Sequence, residues 1–281
     1  MYNEKEIISV WNANMYDQKV IETDDVDFLI SVIGNQPKRI LEVCCGSGRI
    51  LVPLAKAGHV VFGLDADMYM LSKIQAKVKG LDNIQWRKAD AVHDEWGKDY
   101  DIVVLAGNIL YNIVSDMDYA KSQELFILKA AAALKPGGYI FIDYRPGGHY
   151  ITQSPPSHKN DDSKWVVWEG TDRDGNFGRM VLLGDRYDAD TGLGSFIRRF
   201  EITLKSGEIV TQDIQSHKHF APLEQLHSWL RKAGFVIEQE YGDFKKNAIT
   251  DESTSVIIYA RKAEEITYVP IDESIKQKII V

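Results

Sequence analysis

The sequence predicts an α/β fold built on a doubly wound, mostly parallel seven-stranded sheet. Three observations favour this fold. Short apolar runs alternate with segments of helical periodicity from residue 37 to residue 145. The run 101–106 is almost wholly apolar, as is usual for a strand at the centre of a parallel sheet. A glycine-rich turn at 44–48 joins the first apolar run to a helical segment, an arrangement that α/β sheets use to bind ligands.

The composition indicates a single large α/β domain with an elaboration. The 281 residues are 44% hydrophobic and 26% charged, which suffices for a sizeable core. Because the net charge is -8 and the basic residues are scattered, we expect a small-molecule partner and no nucleic acid. There is no basic start followed by an apolar run, and no stretch approaches the roughly 18 apolar residues of a spanning helix. We therefore expect a cytoplasmic protein with no membrane partner, and a homo-oligomer is left open.

The cysteine content predicts neither a disulfide nor a metal site. The only two cysteines, Cys44 and Cys45, are adjacent, which makes a bond between them geometrically poor. A metal site would need a second pair, which the sequence lacks. We expect both to be small buried residues at the end of a strand.

The N-terminal segment is predicted to be helical. Residues 1–36 suggest two helices, and Asp24 and Asp25 are expected to cap the second. The stretch 11–17 is expected to connect them and carries Tyr16.

The main sheet is predicted from seven apolar runs. They are residues 39–43, 60–64, 84–89, 101–106, 139–145, 235–241 and 255–260. Helices are expected after the glycine turn, after Asp67 as N-cap, between the fourth and fifth strands, and from Pro222 to Gly234. The residues 135–138, Lys-Pro-Gly-Gly, are expected to end the third of these helices.

The alternation of strand-like and helical segments ends at Arg145, and an insertion is predicted after it. Strand-like runs without helical periodicity occur at 165–168, 179–187, 195–204 and 208–217. The expected division is an N-terminal helical lid segment at 1–36, a core at 37–145 and 220–262, an antiparallel insertion at 146–219 that covers the substrate, and a C-terminal tail at 263–281.

The glycine turn separates two classes of cofactor. A dinucleotide site requires a third glycine where this sequence has Leu51. The remaining pattern of Glu42, Cys44, Gly46 and Gly48 resembles the first motif of class I S-adenosylmethionine (SAM) methyltransferases, with Cys44 in place of the usual first glycine. An acidic side chain at this strand end suits a cationic sulfonium and ammonium better than a diphosphate. The resemblance implies that SAM is the cofactor and S-adenosylhomocysteine the product.

Residues at successive strand ends then become candidates for the cofactor site. Asp65 lies about 20 residues beyond the turn, where a carboxylate can accept both ribose hydroxyls. The resemblance implies that Met70 packs on the adenine, with Met68 and Leu71 as competitors, and that Asp90 binds the adenine amino group. Tyr16 is either a lid over the cofactor or a core residue. The full predicted set is Tyr16, Glu42, Cys44, Gly46, Gly48, Asp65, Ala66, Met70, Asp90, Ala91, Gly107 and Asn108.

Four further segments resemble the glycine N-methyltransferase group. They are 105–108, 142–145, the strand insertion, and 242–245. That resemblance implies that Arg145 binds the carboxylate of the substrate and that Asn108 orients the cofactor or the incoming amine. The pattern departs at 146–148, Pro-Gly-Gly, and at Asn112, where those enzymes place a histidine. The predicted function is therefore methyl transfer to the amino nitrogen of an amino acid or a similar small amine.

Three alternatives stay open on the sequence alone. O-methyl transfer to a small hydroxyl compound would need a base, for which His217 and His219 are the candidates, although both also suit exposed strand positions. An inactive SAM-binding regulator would have the same first half. An NAD-dependent oxidoreductase is disfavoured by Leu51.

Overall fold

Seven strands form the central sheet of the fold. A computed structural model describes residues 3–147 and 165–264. The strands of this sheet are β1 Arg39–Val43, β2 Val60–Asp65, β3 Ile84–Lys88, β4 Tyr100–Leu105, β5 Leu134–Tyr144, β10 Phe235–Tyr241 and β11 Val256–Lys262. Their spatial order is β10, β11, β5, β4, β1, β2, β3, and within this sheet only β11 runs in the direction opposite to the other strands. The predicted doubly wound, mostly parallel seven-stranded sheet is confirmed.

Helices cover both faces of this sheet. Those of the described residues are α1 Glu4–Lys19, α2 Asp24–Ile33, α3 Leu51–Lys56, α4 Met68–Leu71, α5 Ile109–Asn112, α6 Tyr119–Ala133 and α7 Leu223–Lys232. α2 and α3 pack on one face, and α6 and α7 pack on the other. None of these helices is long and apolar enough to cross a membrane.

The sequence of β4 explains why both faces are apolar. Ile102 and Val104 point into the cluster formed with α2 and α3, while Val103 and Leu105 point into the cluster formed with α6 and α7. Because successive side chains of a strand point to opposite faces, a strand covered on both faces must be apolar at every position. Because β1, β2, β4 and β5 run parallel to one another, their carboxyl ends lie at one edge of the sheet.

A second sheet follows β5 in the chain and is antiparallel throughout. Its strands are β6 Trp165–Thr171, β7 Phe177–Asp188, β8 Leu193–Thr203 and β9 Ile209–His219. One face, called here the inner face, carries Phe200 and Ile202, which pack with Trp11 of α1. At Gly178 a Cβ would lie 2.7 Å from the indole of Trp11, so this close approach requires glycine.

The N-terminal helices differ from the prediction in two ways. The stretch 11–17 does not connect two helices but forms the second half of α1, because Trp11 and Met15 lie one turn apart and are both fully buried. Asp25 does not cap α2, since its carboxylate binds the guanidinium of Arg49. Thr23 holds the N-cap position without a side-chain capping bond.

Two boundaries inside the core also differ. α6 ends at Ala133, directly before residues 135–138 as the sequence predicts, but β5 already begins at Leu134 and includes these residues. After Asp67, which caps α4 by accepting from the N–H of Tyr69 at 2.8 Å, only one helical turn forms before a 3₁₀ turn at Gln75–Lys77. The loops that follow β1, β2, β3 and β4 begin where the sequence predicts, within one residue of the predicted strand ends.

Candidate active site

The glycine turn after β1 is held by the carboxylate at the end of β2. Gly46 donates its N–H to Asp65 Oδ2 at 2.8 Å, and Asp67 donates its N–H to Asp65 Oδ1, also at 2.8 Å. Burial raises the pKa of Asp65, and the backbone donors oppose that rise. Asp65 thus joins two strand-end loops at the place where the sequence predicts a ribose contact.

Three residues of the turn adopt left-handed backbone angles. The φ angles are 60° at Cys44, 54° at Gly46 and 77° at Gly48. Glycine adopts this region without strain, whereas a residue with a Cβ does so at a cost. This explains why the related motif has glycine at the position of Cys44. A Cβ at Gly46 would meet no atom within 4 Å, so the turn opens onto free space.

Glu42 supplies a buried acidic oxygen at the end of β1. Its side chain is 5% exposed and accepts from the backbone N–H of Leu51, while Oε2 has no hydrogen-bond partner among the residues that the structure describes. Burial raises the pKa of Glu42 well above its usual range. A buried acceptor of this kind is unfavourable unless a donor or a cation reaches it, so the site fits a ligand with a positively charged group.

The loop after β4 is fixed by a carboxylate from β5. Asp143 accepts from the N–H of Gly107 at 3.0 Å and of Asn108 at 2.6 Å. Both donors lie in the left-handed region, with φ of 69° and 57°. Burial raises the pKa of Asp143 to about 6, against the effect of the two backbone donors. The loop presents Asn108 Oδ1, which is buried and has no partner among the described residues.

The predicted adenine contacts follow β2 and β3, with Met70 in α4 and Asp90 in the loop after β3. Met70 is half-buried, Ala66 is exposed, and Asp90 is exposed. One oxygen of Asp90 accepts from the N–H of Val92 at 2.9 Å and so forms a local turn. Ala91 is buried and uses its carbonyl to accept from Trp96 and Lys129.

Helix α1 ends beside the glycine turn. Lys77 binds the carboxylate of Asp17 and donates to the carbonyl of Ser47 at 2.8 Å. The second oxygen of Asp17 lies 3.2 Å from the guanidinium of Arg173, which belongs to the turn between β6 and β7. The C-terminal end of α1 therefore contacts both the core and the second sheet.

Tyr16 lies on this end of α1. Its hydroxyl hydrogen-bonds to Arg49, and burial raises its pKa. Arg49 also pairs with Asp25, with Nη1 2.7 Å from Oδ1. The sequence did not indicate this pair, because its members are 24 positions apart and belong to different elements.

The candidate bases lie away from the inner face of the second sheet. His217 hydrogen-bonds to Ser195 with 3.0 Å between Nδ1 and Oγ, and His219 Nδ1 lies 2.8 Å from Gln123 Oε1 on α6. Between them in β9, Lys218 points to the inner face and lies over the ring of Tyr111. Because side chains alternate along a strand, the two histidines share the opposite face. The charge of Arg145 contributes to lowering the pKa of Lys218.

Reasoning from the sequence overlooked Arg198 and Lys218 on the inner face. The signal available was the alternation in β8 and β9, which assigns every second residue to one face. No group of three or more His, Cys, Asp or Glu side chains within 3–147 and 165–264 is arranged to hold a metal ion.

Comparisons with known proteins agree with this geometry. Residues 40–138 match the family described as "Methyltransferase domain". A protein of Geobacillus sp. (strain WCH70) that is a methyltransferase by name is 24% identical over 228 residues, which cover 80% of this chain and 85% of that protein. The ubiquinone biosynthesis O-methyltransferase of Chelativorans sp. (strain BNC1) is 34% identical over 108 residues, 37% of this chain and 39% of that protein.

Two solved structures share the fold. An S-adenosylmethionine-dependent methyltransferase from Clostridium acetobutylicum ATCC 824 superposes with a TM-score of 0.67 at 15% identity, covering 93% of this chain and 100% of that one. The sugar N-methyltransferase KedS8 from Streptoalloteichus sp ATCC 53650 gives 0.62 at 16% identity, covering 87% and 88%. At such identities the likeness concerns the fold.

Proposed function

Since the chain is a class I SAM-dependent methyltransferase, we propose that it transfers a methyl group to the amino nitrogen of a small molecule. The family follows from the matched domain at 40–138 together with the shared fold. The closer resemblance to the glycine N-methyltransferase group stays a prediction, as do the roles of the individual site residues.

One observation carries the proposal: two buried side-chain oxygens at the strand ends, Glu42 Oε2 and Asn108 Oδ1, have no partner within the described residues. A buried acceptor is stabilised by a donor that arrives with a ligand. The Glu42 carboxylate suits the ammonium of a bound SAM. Asn108 suits an amine, which can donate one N–H to its oxygen and keep the nitrogen lone pair for transfer.

The other residues of the strand-end loops would hold the cofactor. Asp65 would accept from the ribose hydroxyls, and the free space at Gly46 would admit the chain of the ligand. When bound, SAM supplies a methyl group on a positively charged sulfur, which is an excellent leaving group. The residues of this chain then need only hold an uncharged nitrogen in line with that methyl group and away from water.

Arg145 would bind the acceptor and not the cofactor. It follows β5 directly at the carboxyl edge and is half-buried. A guanidinium can bind a carboxylate with two parallel hydrogen bonds, which fixes the orientation of an amino acid.

The test is a methyl-transfer assay with isotope-labelled SAM on a panel of small amines, amino acids and phenols. We expect label in an amine product, and no transfer after Asn108→Ala. Asn35→Ala is the matched control, because Asn35 is exposed and precedes β1, at the edge of the sheet opposite the site. Transfer only to phenols, or tighter binding of NAD than of SAM, would contradict the proposal.

O-methyl transfer is the second candidate, because the ubiquinone biosynthesis relative is an O-methyltransferase. A hydroxyl acceptor would need a base at the nucleophile. The histidines proposed from the sequence lie on the face of β9 opposite Lys218, so the geometry favours the amine.

A further inference from the structure

One ammonium group holds the loop that follows β3. Lys129 of α6 donates from Nζ to three backbone carbonyls of this loop, those of Ala91 at 2.8 Å, Val92 at 3.0 Å and Asp94 at 2.7 Å. A lysine ammonium has three N–H donors, so the loop accepts all of them. The side chain is half-buried, and Nζ lies 5.3 Å from the ring centroid of Trp96. The ammonium therefore acts as an internal cation of the loop.

Two peptide groups connect this ammonium to the carboxylate of Asp90. The peptide between Ala91 and Val92 accepts from Lys129 with its C=O and donates its N–H to Asp90 Oδ1 at 2.9 Å. The next peptide does the same, with the N–H of His93 3.4 Å from Asp90 Oδ1. Because hydrogen bonds in series polarise one another, the ammonium strengthens both bonds to the carboxylate. Lys129 thus orients the Asp90 side chain through the backbone.

The loop needs a cation at this place. Asp94 lies close to Asp90, since its Oδ2 accepts from the N–H of Asp90 at 2.8 Å and its own N–H donates to the carbonyl of Asp90 at 2.7 Å. Three converging carbonyl dipoles and two neighbouring carboxylates repel one another unless a positive charge lies among them. Burial lowers the pKa of Lys129, and the charges of Asp90, Asp94 and Glu95 oppose that change.

We infer that Lys129 is a positioning residue for the cofactor, which orients Asp90 so that the site selects a purine with an exocyclic amino group. Both local bonds of Asp90 use Oδ1, and the side chain is exposed, so Oδ2 is available to accept from that amino group. The inference rests on the proposed function and on the predicted contact of Asp90 with the adenine.

The probes are S-adenosylhomocysteine and S-inosylhomocysteine, in which a carbonyl oxygen replaces the adenine amino group. Calorimetric titration gives the ratio of the two affinities for the wild-type protein and for Lys129→Met, which keeps a long side chain without the donors. The wild-type protein should prefer S-adenosylhomocysteine by about tenfold or more, because the other ligand sets an acceptor against the carboxylate. Lys129→Met should reduce this ratio to about twofold or less, mainly through weaker binding of S-adenosylhomocysteine.

Lys262→Met is the matched control. Lys262 is also half-buried, and its Nζ donates to the carbonyls of Ala131 at 2.6 Å and Leu134 at 2.9 Å, where β5 begins at the opposite edge of the sheet. Both substitutions should lower the melting temperature, but only Lys129→Met should alter the ratio of affinities. In an Asp90→Ala background Lys129→Met should leave the ratio unchanged, because Lys129 acts through Asp90.

The outcomes separate this inference from the proposed function. A preference that persists in Lys129→Met, or that falls equally in Lys262→Met, overturns the inference and leaves the proposed function intact. Equal binding of both ligands by the wild-type protein does the same, and so does an effect of Lys129→Met that remains in the Asp90→Ala background. If Lys129→Met does not fold, Lys129→Gln is measured in its place, and an unchanged ratio there also overturns the inference. Failure of the wild-type protein to bind S-adenosylhomocysteine overturns the proposed function and the inference with it.

Discussion

The strand-end loops of the main sheet and the inner face of the second sheet hold their charged groups in different ways. In the loops, backbone N–H groups fix each carboxylate, as at Asp65 and Asp143. On the inner face, the charges sit at the ends of long side chains, as at Arg198 and Lys218. A site built on the backbone is preorganised for one ligand, whereas a site built on side chains changes by single substitutions. We therefore expect the cofactor and the acceptor to be recognised by separable parts of the molecule.

The largest effect is expected at Asp65, on the cofactor side. Asp65→Ala should weaken S-adenosylhomocysteine binding by about 2 to 4 kcal/mol, because two charge-assisted hydrogen bonds to the ribose are lost. The melting temperature should fall as well, since Gly46 and Asp67 lose their acceptor. Calorimetry measures the affinity, and Asp82→Ala, an exposed loop aspartate, is the control. Unchanged affinity in a folded Asp65→Ala protein would remove Asp65 from the site.

A pH profile distinguishes the role of Asp143 in binding from its role in stability. The pKa of Asp143 is raised from 3.8 to about 6, so the folded protein takes up this proton more readily than the unfolded chain. Its contribution to stability is therefore full below about pH 4 and is lost as the pH rises through 6. Ligand affinity should change in the opposite direction, because a protonated carboxyl holds Gly107 and Asn108 less well.

Comparison with Asp143→Asn isolates the effect of Asp143 on the pH dependence of ligand affinity and of stability. Relative to that variant, the wild-type protein should lose affinity for S-adenosylhomocysteine by up to about tenfold per pH unit below 6. Over the same interval, its relative free energy of unfolding should rise. Affinity and stability that change together would show that Asp143 does not act on the loop.

Glu42→Gln should affect stability and binding in opposite directions by smaller amounts. The amide keeps an acceptor for Leu51 and removes a buried charge, so at pH 7 the melting temperature should rise by about 2 to 4 °C. SAM affinity should fall several-fold, because the partner of the ammonium is lost. Differential scanning calorimetry and titration are the measurements, with the exposed Glu208→Gln as control. A variant that binds SAM as well as the wild type would contradict the role of Glu42.

The smallest effect is expected at Arg145, on the acceptor side. Arg145→Lys keeps the positive charge but loses the planar guanidinium that can bind a carboxylate with two parallel hydrogen bonds. The KM for a carboxylate-bearing amine should therefore rise a few-fold while SAM affinity stays constant. Steady-state kinetics and a SAM titration measure the two quantities, with the exposed Arg186→Lys as control. A preferred acceptor without any anionic group would refute this role.

The difference between the strand-end loops and the inner face also explains which residues the sequence could predict. Residues such as Gly46 and Asp65 follow apolar runs directly, and parallel strands bring their carboxyl ends to one edge, so short-range patterns suffice. Asp25 was interpreted as a cap because its binding of Arg49 depends on tertiary structure. Arg198 and Lys218 were missed because their proximity depends on the register of β8 with β9 and on the packing of that sheet against α5. The continuous α1 helix was missed because the burial of Trp11 depends on a distant glycine, Gly178.

The most direct test of separable recognition measures two Michaelis constants on two variants. With the acceptor identified by the labelled panel, the KM for SAM and the KM for the acceptor are determined for Asp65→Ala and Arg198→Gln. We expect Asp65→Ala to raise mainly the KM for SAM, and Arg198→Gln to raise mainly the KM for the acceptor. If each variant raised both constants to the same extent, the main sheet and the inserted sheet would not recognise separate ligands.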